Sequence, residues 1–373
     1  MTGRERFIRM FRGEEIDRVP VAPFIYNNFI NEFFNSPDAD PVEKGIEVYE
    51  SLGFDIILRT CNVWDYLSEC ACDAKNWRVS ETKEGEGKEW IVVTTVRTPE
   101  KELTQRKSYN QVTQNEVLEA VVEYYIKDES DFNQFLKYQP PVPEYNCESI
   151  IRARELLGDK GLAAPWAQGV FNIASFYRKL DDLILDPYIN LAFYDRMMKY
   201  FSGRMYKTIK QFVKAGADIV CCGGNVGNAT MVGPNHFRDF ILSYEAEFTK
   251  EVKDLGVYYL YHNCGDAASL LDIYSRVGMD IYESLTPKPF GDTNLEDALV
   301  KIDKSITLCG NIDQIAFLKE AEPGEIRHEV KRVLDLAKKR GKFILGTTDY
   351  FSEGTPCKNI KAFSEAGREF GNY

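Results

Sequence analysis

The segment YHNCGD (261–266) sets His262 two positions before Cys264, after an apolar run and ahead of a helical one. In an extended strand, side chains at i and i+2 point to the same face. A neutral imidazole and a thiolate on one face can share a tetrahedral Zn²⁺. Two ligands do not complete a site, so further donors must come from neighbouring strands. Asp349 and Glu283 are the candidates, with Cys309 behind them, and an open fourth position would make the metal catalytic rather than structural. The same pair also fits two ordinary residues closing a buried strand, and the spacing alone leaves both readings open.

The elements that must position these residues recur along the chain. Apolar, β-rich runs lie at 19–25, 54–60, 162–167, 218–222, 257–264, 280–285, 306–312 and 342–348. Their apolar character is continuous rather than alternating, as in strands buried on both faces. Helical patterns follow them. In 324–341, Ile326, Val330, Val333, Leu334 and Ala337 share one face and Gly341 ends the helix. A similar pattern spans 266–278, with Asp266 placed as its N-cap. Eight strand–helix units predict an α/β fold, a (β/α)8 TIM barrel forming one domain over 1–373. A doubly wound open sheet is the alternative, weakened by the lack of GxGxxG after the first strand. Residues 76–110 alternate around the turn EGEG and predict a β-hairpin near the barrel mouth. Residues 111–160 read as helical, with a Pro-rich joint at 139–145. Together they form an insertion between strands 2 and 3, at about 76–160, where barrels carry specificity.

Barrel active sites lie at the C-terminal ends of the strands. That rule selects Tyr26 and Asn27; Cys61, Asn62 and Trp64; Trp166 and Gln168; Asn225; His262 and Cys264; Glu283; Asn311 and Asp313; Asp349 and Tyr350. Large aromatics at strand ends suit a flat aromatic ligand, and equally suit plain packing. Asp313 fits either a helix cap or a substrate contact. Cys221 and Cys222 are adjacent and should face opposite sides of a strand as small buried residues. His236 and His328 fall in helical stretches and read as surface residues.

The formal charge of −12 and the absence of a Lys/Arg stripe exclude a nucleic-acid footprint. The nine cysteines are scattered, and the charged N-terminal stretch reads as a helix rather than a signal peptide. Reduced thiols and a cytoplasmic location are expected. No apolar run approaches the roughly 20 residues that span a membrane. The oligomeric state stays open, a homodimer included.

RERFIRMFRGEEIDRVPV, GADIV, YHNCGDAASLLDIYSRVGMDIYESLTP, LCGNID and GTPCKNIKAF together resemble the uroporphyrinogen decarboxylase superfamily over about residues 3–370. The resemblance implies a (β/α)8 barrel. It also implies one of two activities: a true decarboxylase, or a corrinoid-dependent methyltransferase carrying zinc on an HxC motif plus a later cysteine. The decarboxylases have an Arg-rich motif after the first strand; here that position reads PFIYNNFINEFF. His262-x-Cys264 is similar to the methyltransferase zinc motif. Asp349 stands about where the later cysteine would be, so either Asp349 or Glu283 replaces it as the third ligand, or the site is not a zinc site. A carboxylate there leaves the metal a harder Lewis acid than a thiolate would, which suits an oxygen-bearing substrate. The resemblance therefore points to an O-demethylase-type methyltransferase. A methoxylated aromatic would lie among Tyr26, Asn27, Trp64, Trp166 and Tyr350. Asn225 would orient it, and Tyr26 or Asp349 would supply a proton. The methyl acceptor would be the Co(I) of a corrinoid held by a separate protein. The alternatives are methyl transfer from a methylcorrinoid to a thiol, a decarboxylase, and a non-catalytic binding barrel.

Overall fold

The computed structural model describes residues 1–373, with the side chains of all but 69–71. The strands in chain order are β1 (Ile56–Leu58), β2 (Arg78–Glu84), β3 (Glu89–Arg97), β4 (Glu102–Gln111), β5 (Val117–Glu123), β6 (Gly161–Ala163), β7 (Trp166–Gln168), β8 (Ile219–Gly223), β9 (Tyr258–His262), β10 (Ile281–Ser284), β11 (Thr307–Ile312) and β12 (Phe343–Thr347). Those outside β2–β5 come from the predicted apolar runs and pair in parallel.

β7 to β12 follow one another in a single sheet, and β1 pairs with β6. β6 and β7 are two halves of one run, which joins the sheets: the Ala164 amide donates to Leu58 O and the Cys221 amide to Pro165 O. The run at 19–25 closes the ring. Val21 bridges Leu345 of β12, and its carbonyl accepts from the Asp55 amide beside β1. The fold is a (β/α)8 barrel, in which the first stave, expected as a full strand, is held by one bridge.

Strand alternation sorts the core into two layers. Ala22, Phe24, Ile57, Leu162, Ala164, Trp166, Ile219, Cys221, Leu260, Ile281, Cys309 and Ile344 pack in one cluster inside the barrel. Phe7, Met10 and Phe11 of the helix Gly3–Arg12 join this cluster. Cys222 faces the other way, into the layer between strands and helices, as its adjacency to Cys221 predicts.

The insertion is larger in β-structure than expected. β2 to β5 form a four-stranded antiparallel meander, with the predicted turn between β2 and β3. The segment 117–123 was expected to be helical and is strand β5. Its apolar residues fit a helical spacing, but pairing with β4 decides its state. Helices Glu129–Tyr138 and Glu148–Leu157 follow.

Two local expectations change. The stretch 266–278 holds only the short helix Leu271–Tyr274 and a 3-10 turn, Ser275–Val277. Asp266 is not its cap: Asp292 accepts from the Ala267 and Ala268 amides, while Asp266 binds the Thr230 hydroxyl. His236 is buried against Phe171, Tyr188 and Phe240 rather than lying on the surface. Among the described residues, no helix is long and apolar enough to cross a membrane.

Candidate metal centre

His262 is the last residue of β9, and Asp349 follows β12 by two positions. One donor atom each from His262, Cys264 and Asp349 lie within 4.8 Å of one another. His262 is 2 % exposed, so its ring is fixed by the protein rather than by water. Asp349 Oδ2 is 3.9 Å from Nε2. The other ring nitrogen, Nδ1, is 2.8 Å from Glu283 Oε2.

That contact corrects the assignment of Glu283 as a ligand. β10 places Glu283 beside His262 in register. Both of its oxygens are engaged by the buried guanidinium of Arg59, one of them also by Nδ1. Glu283 lies outside the three-residue donor group. It instead accepts a hydrogen bond from Nδ1, with Nε2 turned toward Asp349, as carboxylates behind metal-binding imidazoles commonly do. Cys309 is excluded similarly: its thiol donates to Glu283 Oε1 at 3.5 Å, and burial pushes that thiol's pKa up.

Electrostatics favour a cation here. Burial raises the Glu283 carboxyl, but Arg59 and His262 outweigh it and hold it well below the usual carboxylate range. Burial also opposes charge on His262, yet Cys264, Glu283 and Asp349 together raise its pKa. Arg59 and Glu283 cancel each other. Beside that pair, the imidazole of His262, the sulfur of Cys264 and the carboxylate of Asp349 are the donors grouped to meet a divalent ion. One nitrogen, one sulfur and one oxygen are donors of the kinds that hold Zn²⁺.

An aromatic cluster covers the imidazole. Phe24 is its hub, with ring centroids 5.9 Å from Tyr26, 5.4 Å from Trp166, 5.7 Å from Tyr350 and 6.1 Å from His262. The Arg59 guanidinium lies 4.6 Å over the same ring. Three of the four aromatics picked from sequence are thus brought together, around Phe24. Trp64 is not: it is 37 % exposed and packs on Tyr66. Asn225 lies exposed on the turn Asn225–Gly227, and the hydrogen bond it makes runs from the Asn228 side chain to its backbone carbonyl. Asn27 begins the helix Asn27–Phe33, and its Oδ1 is buried without a partner, as is Trp166 Nε1. Asp313 accepts from the Ile315 and Ala316 amides, which is the capping arrangement.

The insertion reaches this site. Its β4–β5 turn supplies Glu116, which accepts from the Tyr350 hydroxyl at 2.6 Å. Asn115 beside it donates to Glu353 at 3.2 Å. The Tyr350 amide in turn donates to Asp349 Oδ1 at 2.8 Å.

Sequence reasoning missed Phe24, Arg59 and Glu116. Phe24 had a signal, since it lies two positions before Tyr26 and shares its face. Arg59 had a stronger one, because a lone arginine in a continuous apolar run requires a buried carboxylate partner. Glu116 had none.

Comparison with known proteins agrees with the fold and places the family. Residues 111–370 match the family model described as uroporphyrinogen decarboxylase (URO-D). Over 164 residues the chain is 23 % identical to the methylcobamide:CoM methyltransferase MtbA of Methanosarcina acetivorans, spanning 43 % of this chain and 44 % of that protein. Over 154 residues it is 22 % identical to a methylated-thiol–coenzyme M methyltransferase of Methanosarcina mazei, spanning 41 % and 38 %. The chain thus spans less than half the length of these curated relatives. A solved methyltransferase from Methanosarcina mazei superposes with a TM-score of 0.74 at 18 % identity over 99 % of both chains, a likeness of fold. With the matched family model covering well over half of its residues, the chain belongs to the uroporphyrinogen decarboxylase (URO-D) family.

Proposed function

We propose that this protein is a methyltransferase that works with a separate corrinoid protein, taking the methyl group of a methoxylated aromatic compound to Co(I). The observation that carries the reading is the His262–Cys264–Asp349 donor group at the strand ends, with Glu283 behind the imidazole. The names of the relatives, both methyltransferases and one a methylcobamide enzyme, support the reaction class.

His262, Cys264 and Asp349 would hold the metal, which when bound supplies Lewis acidity toward a heteroatom of the substrate. The chain's own residues do the rest. Arg59 and Glu283 fix the ring and its tautomer. Phe24, Tyr26, Trp166 and Tyr350 present an apolar surface that excludes water. Asn27 Oδ1 and Trp166 Nε1 offer an acceptor and a donor to a substrate. Burial pushes the Tyr26 phenol up to about 12. A leaving phenolate has a conjugate acid near 10, like free tyrosine. Tyr26 therefore serves as a hydrogen-bond donor to that oxygen, not as the source of its proton.

The reverse reaction, from a methylcorrinoid to a thiol, is the second reading. The coenzyme M named in the relatives favours it. Asp349 weighs against it, since thiol activation is served better by a sulfur-rich ligand set. A methyl-transfer assay separates the two. Co(I) corrinoid, methoxybenzenes and enzyme should give the methylcobalt spectrum, with none from His262→Ala. Activity confined to methylcorrinoid plus thiol would select the second reading.

A further inference from the structure

The inserted sheet walls a cavity of about 350 Å³ that the proposed chemistry does not use. His262, Cys264 and Asp349 do not line it. Its volume falls in the range of small-molecule sites. Strand alternation sorts the sheet: Lys107, Tyr109, Glu119 and Val121 face the cavity, and the alternate residues Ser108, Ala120 and Val122 face away. The opposite wall is the end of the helix Val170–Tyr177, with Phe176 among its residues. Gln105 ties the two walls, donating to Phe176 O at 2.7 Å.

The lining combines aromatic faces with unbalanced negative charge. Tyr109, Tyr124, Tyr125, Phe176 and Tyr177 supply the rings. Glu81 and Glu119 stand exposed at the edge. Lys107 Nζ is 2.8 Å from Glu119 and cancels it. Glu81 accepts only a neutral donor from this lining, the Thr94 hydroxyl at 2.9 Å. Among the described residues, one negative charge is left over beside these rings. A substituted ammonium meets both, by charge and by cation–π attraction. An anion meets neither.

We propose that this cavity is a binding site for a small organic cation, an ammonium group on an aromatic or alkyl body. The site is separate from the metal centre but adjoins it. Val226 and Met231 of the loop after β8 complete its wall. The same loop packs on the turn after Cys264, where the Ala229 amide donates to Asp266 O at 2.8 Å.

The test is calorimetric titration of the whole protein with benzyltrimethylammonium, benzyl alcohol and benzoate. The cation should bind one per chain, about tenfold or more tighter than the alcohol, with no heat from benzoate. Val121→Trp should fill the cavity and abolish binding. Val122→Trp, on the outer face of the same exposed strand, should leave it unchanged. Glu81→Gln should weaken binding about tenfold. Binding should persist in His262→Ala, whatever becomes of the methyl-transfer reading. No binding, equal affinity for cation and alcohol, equal loss in both tryptophan variants, or loss in His262→Ala would each overturn the proposal.

Discussion

Glu283→Gln isolates the support behind His262 at the proposed metal centre. The amide oxygen can still accept the Nδ1 proton of His262, so the shape is kept while the charge is lost. Arg59 is 0 % exposed and Glu283 1 %, so the guanidinium is left unpaired with no route to water. Breaking such a pair costs about 3–5 kcal/mol. A neutral amide also polarises the imidazole less, which should weaken metal binding by roughly 10–100-fold. The double variant Arg59→Met, Glu283→Gln separates the two effects. Removing both charges should recover part of the stability, because no unpaired guanidinium is left buried. Metal affinity should stay low in both variants. Urea unfolding of chelated protein reads the first quantity, and zinc titration against a competing chelator the second. If Glu283→Gln unfolds within about 1 kcal/mol of the parent and binds zinc as tightly, Glu283 has no such role.

Other outcomes follow from the same geometry. His262→Ala and Asp349→Ala should each lower zinc stoichiometry by elemental analysis while Cys309→Ala leaves it unchanged, since Cys309 is bonded to Glu283 and lies outside the donor group. Glu245 is fully buried, accepts from the Phe171 amide at 3.0 Å, and burial pushes its carboxyl from 4.5 up to about 7. The folded state then holds a proton that the unfolded chain releases, so its contribution is complete below pH ~4.5 and lost as pH rises through ~7. About 3 kcal/mol of stability should disappear across that window, and Glu245→Gln should flatten the slope in unfolding experiments at graded pH. Glu116→Ala removes the acceptor of the Tyr350 hydroxyl and should loosen the β4–β5 turn, seen as faster proteolysis at 112–116 with the global melting temperature little changed.

The strands of the barrel were legible because burial on both faces leaves continuous apolar runs. The first stave was less so, since a run at 19–25 says nothing of how much of it pairs. Val117–Glu123 misled because its local pattern fits a helix and only its partner strand makes it β-structure. At the site, the sequence singled out His262, Cys264 and Asp349, whose donor atoms lie together, but the strand expected to carry both His262 and Cys264 ends at His262, so Cys264 reaches the group from the loop beyond. The role of Glu283 was not available from spacing or strand ends. It depends on Arg59, 224 positions away in sequence, which takes up its oxygens and turns a candidate ligand into a support. Trp64 misled for a related reason: nearness to a strand end does not fix which way a side chain packs, and Tyr66 holds it outside the cluster.

We propose that His262, Cys264 and Asp349 share one divalent metal. X-ray absorption at the zinc edge of the purified protein tests it most directly. The expected spectrum has one sulfur at ~2.3 Å and nitrogen or oxygen donors near ~2.0–2.1 Å, and the sulfur shell disappears in Cys264→Ser. A shell of two or more sulfurs, or an unchanged spectrum in Cys264→Ser, would contradict it.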